Sequence, residues 1–148
     1  MASDKQFTYP VRVQWEDTDA GGVVYHANYI KFMERARSEA IRSLGLSQTE
    51  MAAESGVIVV VDLSISFRRP AVLEDELVVR SRLVRMRHAT CELEQDIWRG
   101  EELLTEGTVR CAFVDPASKA PRPFPKPFYN AMLPELTEPL HAHRQALK

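Results

Sequence analysis

The sequence predicts an α+β domain in which a curved antiparallel five-stranded sheet wraps one long helix. Three observations carry this. Apolar and polar residues alternate from Val11 to Glu16, a single apolar stripe runs from Tyr29 to Leu44 at spacings of three and four, and four more strand-like runs follow with only short links between them. One long helix among five strands is too few for a doubly wound sheet, and short links make antiparallel neighbours.

In the first run Val11, Val13 and Trp15 alternate with Arg12, Gln14 and Glu16, the period-two mark of a half-buried strand. Asp17 to Gly22 then break the pattern with two carboxylates and the Gly21-Gly22 pair, whose backbone freedom suits a functional loop. In the helix Tyr29, Met33, Ala36, Ala40 and Leu44 share one face, while Lys31, Arg35, Glu39 and Arg42 occupy the other. Ala36 and Ala40 keep the stripe shallow enough for close approach to a sheet, and Gly45 followed by Leu46 suits a left-handed C-terminal cap. Ser47 as N-cap and Glu50 three residues on predict a short helix over Ser47 to Glu54. Strands are expected at Val57–Phe67, Glu76–Met86, Thr90–Trp98 and Leu103–Val114. Beyond Asp115-Pro116 the prolines of KAPRPFPKPF cannot continue a central ladder, so this segment is expected to run extended over the surface.

The 148 residues fit one domain, 1–148, with about 130–148 as a loosely packed C-terminal tail. With 27% charged residues and a net charge of -2, no global field recruits nucleic acid or an anionic membrane, so an anionic ligand must be held by a local patch. Cys91 and Cys111 lack metal-ligand spacing and read as small core residues in a reducing compartment. The amino-terminal MASDKQFTYP has no secretory apolar run, and no stretch approaches the roughly 20 apolar residues of a membrane span, so a cytoplasmic protein is expected.

Chemistry concentrates in residues 15–29, where Asp17, Asp19 and the two glycines lie between a strand end and a helix start. A helix N-terminus presents unpaired N–H groups that can polarise a carbonyl, and a nearby carboxylate can act on its carbon. The plainer reading is a solvated turn in which Asp17 and Asp19 help to cap the helix. A calcium loop starting at Asp17 would need a bidentate Glu at its twelfth position, which is Asn28. A metal-dependent Asp-x-Asp phosphotransferase would need a larger α/β sheet, and no phosphate-cradling loop is present. No G-x-S-x-G elbow occurs either, which leaves a carboxylate as the best catalyst.

The run EDTDAGGVVYHANYIKFMERAR resembles the signature of hotdog-fold acyl-CoA thioesterases of the 4-hydroxybenzoyl-CoA thioesterase type, above all those associated with the Tol-Pal system. The likeness continues through Arg69-Pro70-Ala71 and Val114-Asp115-Pro116, with Ala120 interrupting the ending, and spans nearly the whole chain. It implies that Asp19 is the catalytic carboxylate, as nucleophile or general base, that Asp17 is structural, and that the backbone N–H near His26 points at the thioester carbonyl. On the residues alone, the His26 ring is either a general base or a packing and substrate-orienting group; Tyr25 is a further catalytic candidate. Coenzyme A carries phosphates, for which Arg85, Arg87 and His88 at a strand turn, with Arg68 and Arg69, are the candidate cations, although each also suits a solvated turn. The resemblance further implies an acyl-CoA substrate, no cofactor or metal, a homodimer or homotetramer with shared active sites, and acyl carrier protein as a further partner. Rival readings are a domain that binds acyl-CoA or acyl carrier protein without turnover, and a hotdog dehydratase.

Overall fold

The computed structural model describes residues 5–146. Its elements run β1 (Phe7–Arg12), a 3-10 turn (Trp15–Asp17), α1 (His26–Ser43), α2 (Gln48–Glu54), β2 (Val57–Phe67), β3 (Glu76–Met86), β4 (Thr90–Arg99), β5 (Glu102–Val114), α3 (Lys126–Met132) and α4 (His141–Ala146). The strands form one antiparallel sheet in the order β1-β3-β4-β5-β2, curved by register shifts at Val60/Asp62, Leu83/Arg85 and Ile97/Trp98. This sheet against α1 is the hotdog architecture that the resemblance implied.

Two expectations need correction. The first strand is Phe7–Arg12 rather than Val11–Glu16. Pro10 is tolerated because β1 is an edge strand, and past Val13 the Gln14 N–H donates to Asp17 Oδ2 at 2.8 Å, which turns the chain and leaves Trp15 78% exposed. The carboxyl-terminal segment is also packed more closely than its prolines suggest. Its first part does run extended, bridging Pro121 to Val114, but α3 then starts with Pro127 in its first turn, where a missing N–H costs nothing. Phe124, Phe128 and Met132 are buried in the core. Residues 147 and 148 of the expected tail lie outside the described residues.

α1 buries Tyr29, Phe32, Met33, Ala36, Ala40 and Ile41. Its approach to the sheet depends on Gly107, because a Cβ there would lie 2.6 Å from Met33 Cε. Buried Gln95 fastens the contact, donating to the Met33 carbonyl at 2.9 Å and to Ser81 Oγ at 3.0 Å. The helix ends as expected, with Gly45 at φ 78°, its N–H donating to the Arg42 carbonyl and the Leu46 N–H to that of Ile41. Ser47 Oγ caps α2 by accepting from the Glu50 N–H.

The opposite face of the sheet carries a buried ionic cluster. Arg82 donates to Glu94 at 2.8 Å and to Asp96 at 2.9 Å, and α4 supplies Arg144 to Asp96 at 2.7 Å and His141 to Asp96 at 2.6 Å. Glu106 accepts from Arg144 and from Arg68. Asp96, Glu106 and His141 lie close enough to share an ion, but arginines already neutralise both carboxylates.

Candidate active site

Residues Thr18 to Val24 form a miniature hairpin: Thr18 bridges Val24, the Asp19 N–H donates to the Val23 carbonyl at 2.9 Å, and the Gly22 N–H donates to the Asp19 carbonyl at 3.0 Å. Gly22 takes φ 82°, a left-handed value that favours glycine. Asp19 Oδ1 accepts from the Gly21 N–H at 2.8 Å, and a Cβ at Gly21 would come within 3.2 Å of the same oxygen. The glycine pair therefore sets both the turn and the orientation of the Asp19 carboxylate. A second wall is tied on where Val23 bridges Val72 and the Val24 N–H donates to the Ala71 carbonyl at 2.9 Å.

The helix start adjoins this loop. Tyr25 is the N-cap residue of α1 and offers no side-chain cap, so the His26 and Ala27 N–H groups have no hydrogen-bond partner among the described residues. Asp19 and His26 open into one cleft of about 310 Å³, walled by Tyr29, Phe67, Arg68 and Arg69. Asp19 and the uncapped first residue of the helix thus line a common space, an arrangement in which a carbonyl can be polarised and attacked. A cavity of about 350 Å³ elsewhere, walled by Ile41, Cys91, Leu93 and Cys111, lacks this pairing: the nearby start of α2 is already capped by Ser47. Cys91 and Cys111 face each other across β4 and β5, both buried, and the hydrogen bond that the Cys91 thiol donates to Cys111, together with burial, pushes the Cys91 thiol up.

The other candidate residues divide by location. Tyr25 is 46% exposed, with its ring 4.4 Å from that of His26, and His26 meets Phe67 edge-on at 6.3 Å. Arg69 lines the cleft and pairs with Glu102 at 3.3 Å, while Arg68 reaches back to Glu106. Arg85, Arg87 and His88 sit at the far end of β3, about 30 Å along the strand from the Asp75 end beside the cleft. There Arg85 pairs with Glu92 at 3.3 Å and His88 stacks on Tyr129 at 5.5 Å. Within one chain the structure does not bring this trio to Asp19.

Two supports escaped the sequence reading. Tyr29 Oη accepts from the Ala71 N–H at 3.0 Å, and burial pushes its phenol up, so it stays neutral and holds the loop to α1. Asp75 accepts from the Val72 N–H at 2.9 Å and from Arg99 at 2.7 Å, and Arg99 also donates to the Pro70 carbonyl at 3.2 Å. The one local signal was the carboxylate three residues after Val72, a turn pattern; the Arg99 contact spans 24 residues and has none.

The thioesterase-like superfamily sequence model matches residues 13–132. The chain belongs to the thioesterase-like superfamily. Among curated members, the acyl-CoA thioesterase YbgC of Haemophilus influenzae is 43% identical over 124 residues, covering 83% of this chain and 91% of that protein. The acyl-CoA thioester hydrolase YbgC of Escherichia coli O6:H1 is 43% identical over 121 residues, covering 81% and 90%. Among solved structures, a 1,4-dihydroxy-2-naphthoyl-CoA thioesterase from Synechocystis superposes with a TM-score of 0.80 at 25% identity, covering 86% of this chain and 95% of its own. This superfamily member is a thioester hydrolase. Among the described residues, no helix is long and apolar enough to cross a membrane.

Proposed function

We propose that this thioesterase hydrolyses acyl-coenzyme A to the free acid and coenzyme A, with Asp19 acting on the carbonyl carbon while the His26 and Ala27 amides draw its oxygen. The observation that carries this reading is the opening of the Asp19 carboxylate and the uncapped start of α1 into one cleft. Asp19 either adds to the carbon, expelling the thiolate and forming a mixed anhydride that water opens, or takes a proton from a water that adds instead. In both, a low-basicity thiolate leaves, so little leaving-group protonation is needed, and few side chains suffice. His26 acts chiefly through its main chain, and Tyr25 through its place as N-cap.

Arg69, which lines the cleft, is a candidate for the coenzyme A phosphates, while Arg68 beside it is engaged with Glu106. Arg85, Arg87 and His88 can serve only from a second copy, which fits shared sites in a homodimer or homotetramer. Edge strand β2 supports that assembly, since Val60, Val61, Leu63 and Phe67 on it are exposed. The reading takes residues 1–148 as one catalytic domain in the cytoplasm, consistent with two free thiols. The Tol-Pal association and acyl carrier protein as a second acyl donor rest on the sequence resemblance.

Thiol release from short, long and aromatic acyl-CoAs and from an acylated carrier protein tests the activity. Turnover above background is expected, and saturable binding without turnover would refute it. Arg69→Ala and Arg87→Ala are each expected to raise KM about 3- to 10-fold for coenzyme A thioesters and to leave thioesters lacking the nucleotide unchanged. Equal effects on both substrate types would remove these residues from phosphate binding.

A further inference from the structure

We infer that Asn28 is a positioning residue for the proposed hydrolysis: its carboxamide fixes the separation between the Asp19 loop and the free amides at the start of α1. This rests on the reading of function given above. The Asp17 carbonyl accepts two hydrogen bonds, from the Tyr25 N–H at 2.9 Å and from Asn28 Nδ2 at 2.8 Å. Both acceptor directions of that oxygen are thereby used by the helix start. Asp17 is itself held, because its Oδ2 accepts from the Gln14 N–H at 2.8 Å and the next residue, Thr18, donates through its N–H and its hydroxyl to the Trp15 carbonyl. Two residues further along stands Asp19. One rigid carbonyl therefore anchors both halves of the catalytic arrangement, and Asn28 is the side chain that binds the helix to it.

The residue type supports a positioning role. Asn28 is the third residue of α1, where a Glu or Gln reaching back to the N-cap N–H would complete a capping box. Here the Tyr25 N–H is already spent on Asp17, and Asn28 reaches past the cap to the same carbonyl as a donor. Asn is a poor helix former, so this position is not filled for helix propensity. Aspartate would set a carboxylate against a carbonyl oxygen, and leucine would leave the carbonyl with one partner. Reacting groups misplaced by about 1 Å can cost about 100-fold in rate.

The test compares wild type with Asn28→Leu and Asn28→Asp in thiol release from one acyl-CoA that the wild type turns over, beside thermal unfolding. The expected result is a fall in kcat of about 10- to 100-fold with KM changed less than about threefold in folded protein. In an Asp19→Asn background the further loss from Asn28→Leu is expected to shrink below about threefold, because the geometry it sets then serves no carboxylate. Folded variants with wild-type kcat, or losses that multiply undiminished in that background, would overturn the role. If neither variant folds, Asn28 is assigned to stability and the inference also fails. A wild type that releases no thiol instead overturns the reading of function.

Discussion

Asp19→Asn is expected to lower kcat for thioester hydrolysis by about 10²- to 10⁴-fold without unfolding the protein. The side chain is exposed, and the hydrogen bond that its Oδ1 accepts from the Gly21 N–H can be kept by an amide oxygen. Shape and turn survive while the charge is lost, and with it both the nucleophile and the general base. Steady-state thiol release and circular dichroism on the same sample check this. Near-normal turnover by folded Asp19→Asn would end the assignment and leave the helix amides as the surviving feature of the site.

The second large effect concerns stability. Asp96 is 0% exposed and accepts from Arg82, Arg144 and His141. Asp96→Ala is expected to cost about 3–5 kcal/mol, since it strands cations in a dry environment. Burial pushes the Asp96 carboxyl up, but the hydrogen bonds from His141 and Arg144 and the charge on Arg82 more than offset it, holding it at about 2 against an ordinary 3.8. A carboxyl lowered on folding stabilises the protein above its unfolded value and loses that contribution as pH falls through its folded value. Roughly 2 kcal/mol should therefore disappear between about pH 4 and pH 2, seen as a falling denaturant midpoint. A midpoint as steep through that window in Asp96→Asn as in wild type would place the acid sensitivity elsewhere.

Much of the fold was legible because its signals are local. The stripe from Tyr29 to Ala40, the Gly45 cap and the Ser47 cap each involve residues within one or two helical turns, and each appears where expected. What was hidden depends on contacts distant in sequence. Glu92, Glu94 and Asp96 alternate with Cys91, Leu93 and Ile97, a pattern that suits a solvated strand face. Arg82 across the sheet and the later arrival of Leu140, His141 and Arg144 supply partners for two of those carboxylates, which are buried. Prolines in residues 121–127 masked α3 because a breaker inside a helix and a residue permitted in its first turn look alike. At the site, Asp19, His26 and Arg69 share one cleft, whereas Arg85, Arg87 and His88 gather at the other end of β3. Residue type named those cations as phosphate binders, but which end of a strand carries the cleft is set by contacts distant in sequence, which spacing along the chain does not encode.

The placement of α4 bears on how this enzyme should be handled at the bench. A fragment trimmed after Met132, where the superfamily match stops, would discard Arg144 and His141 and leave Glu94, Asp96 and Glu106 to Arg82 and Arg68 alone. Purification tags belong on the amino end, and a shortened chain that precipitates would reflect a bared acidic sheet rather than a damaged cleft.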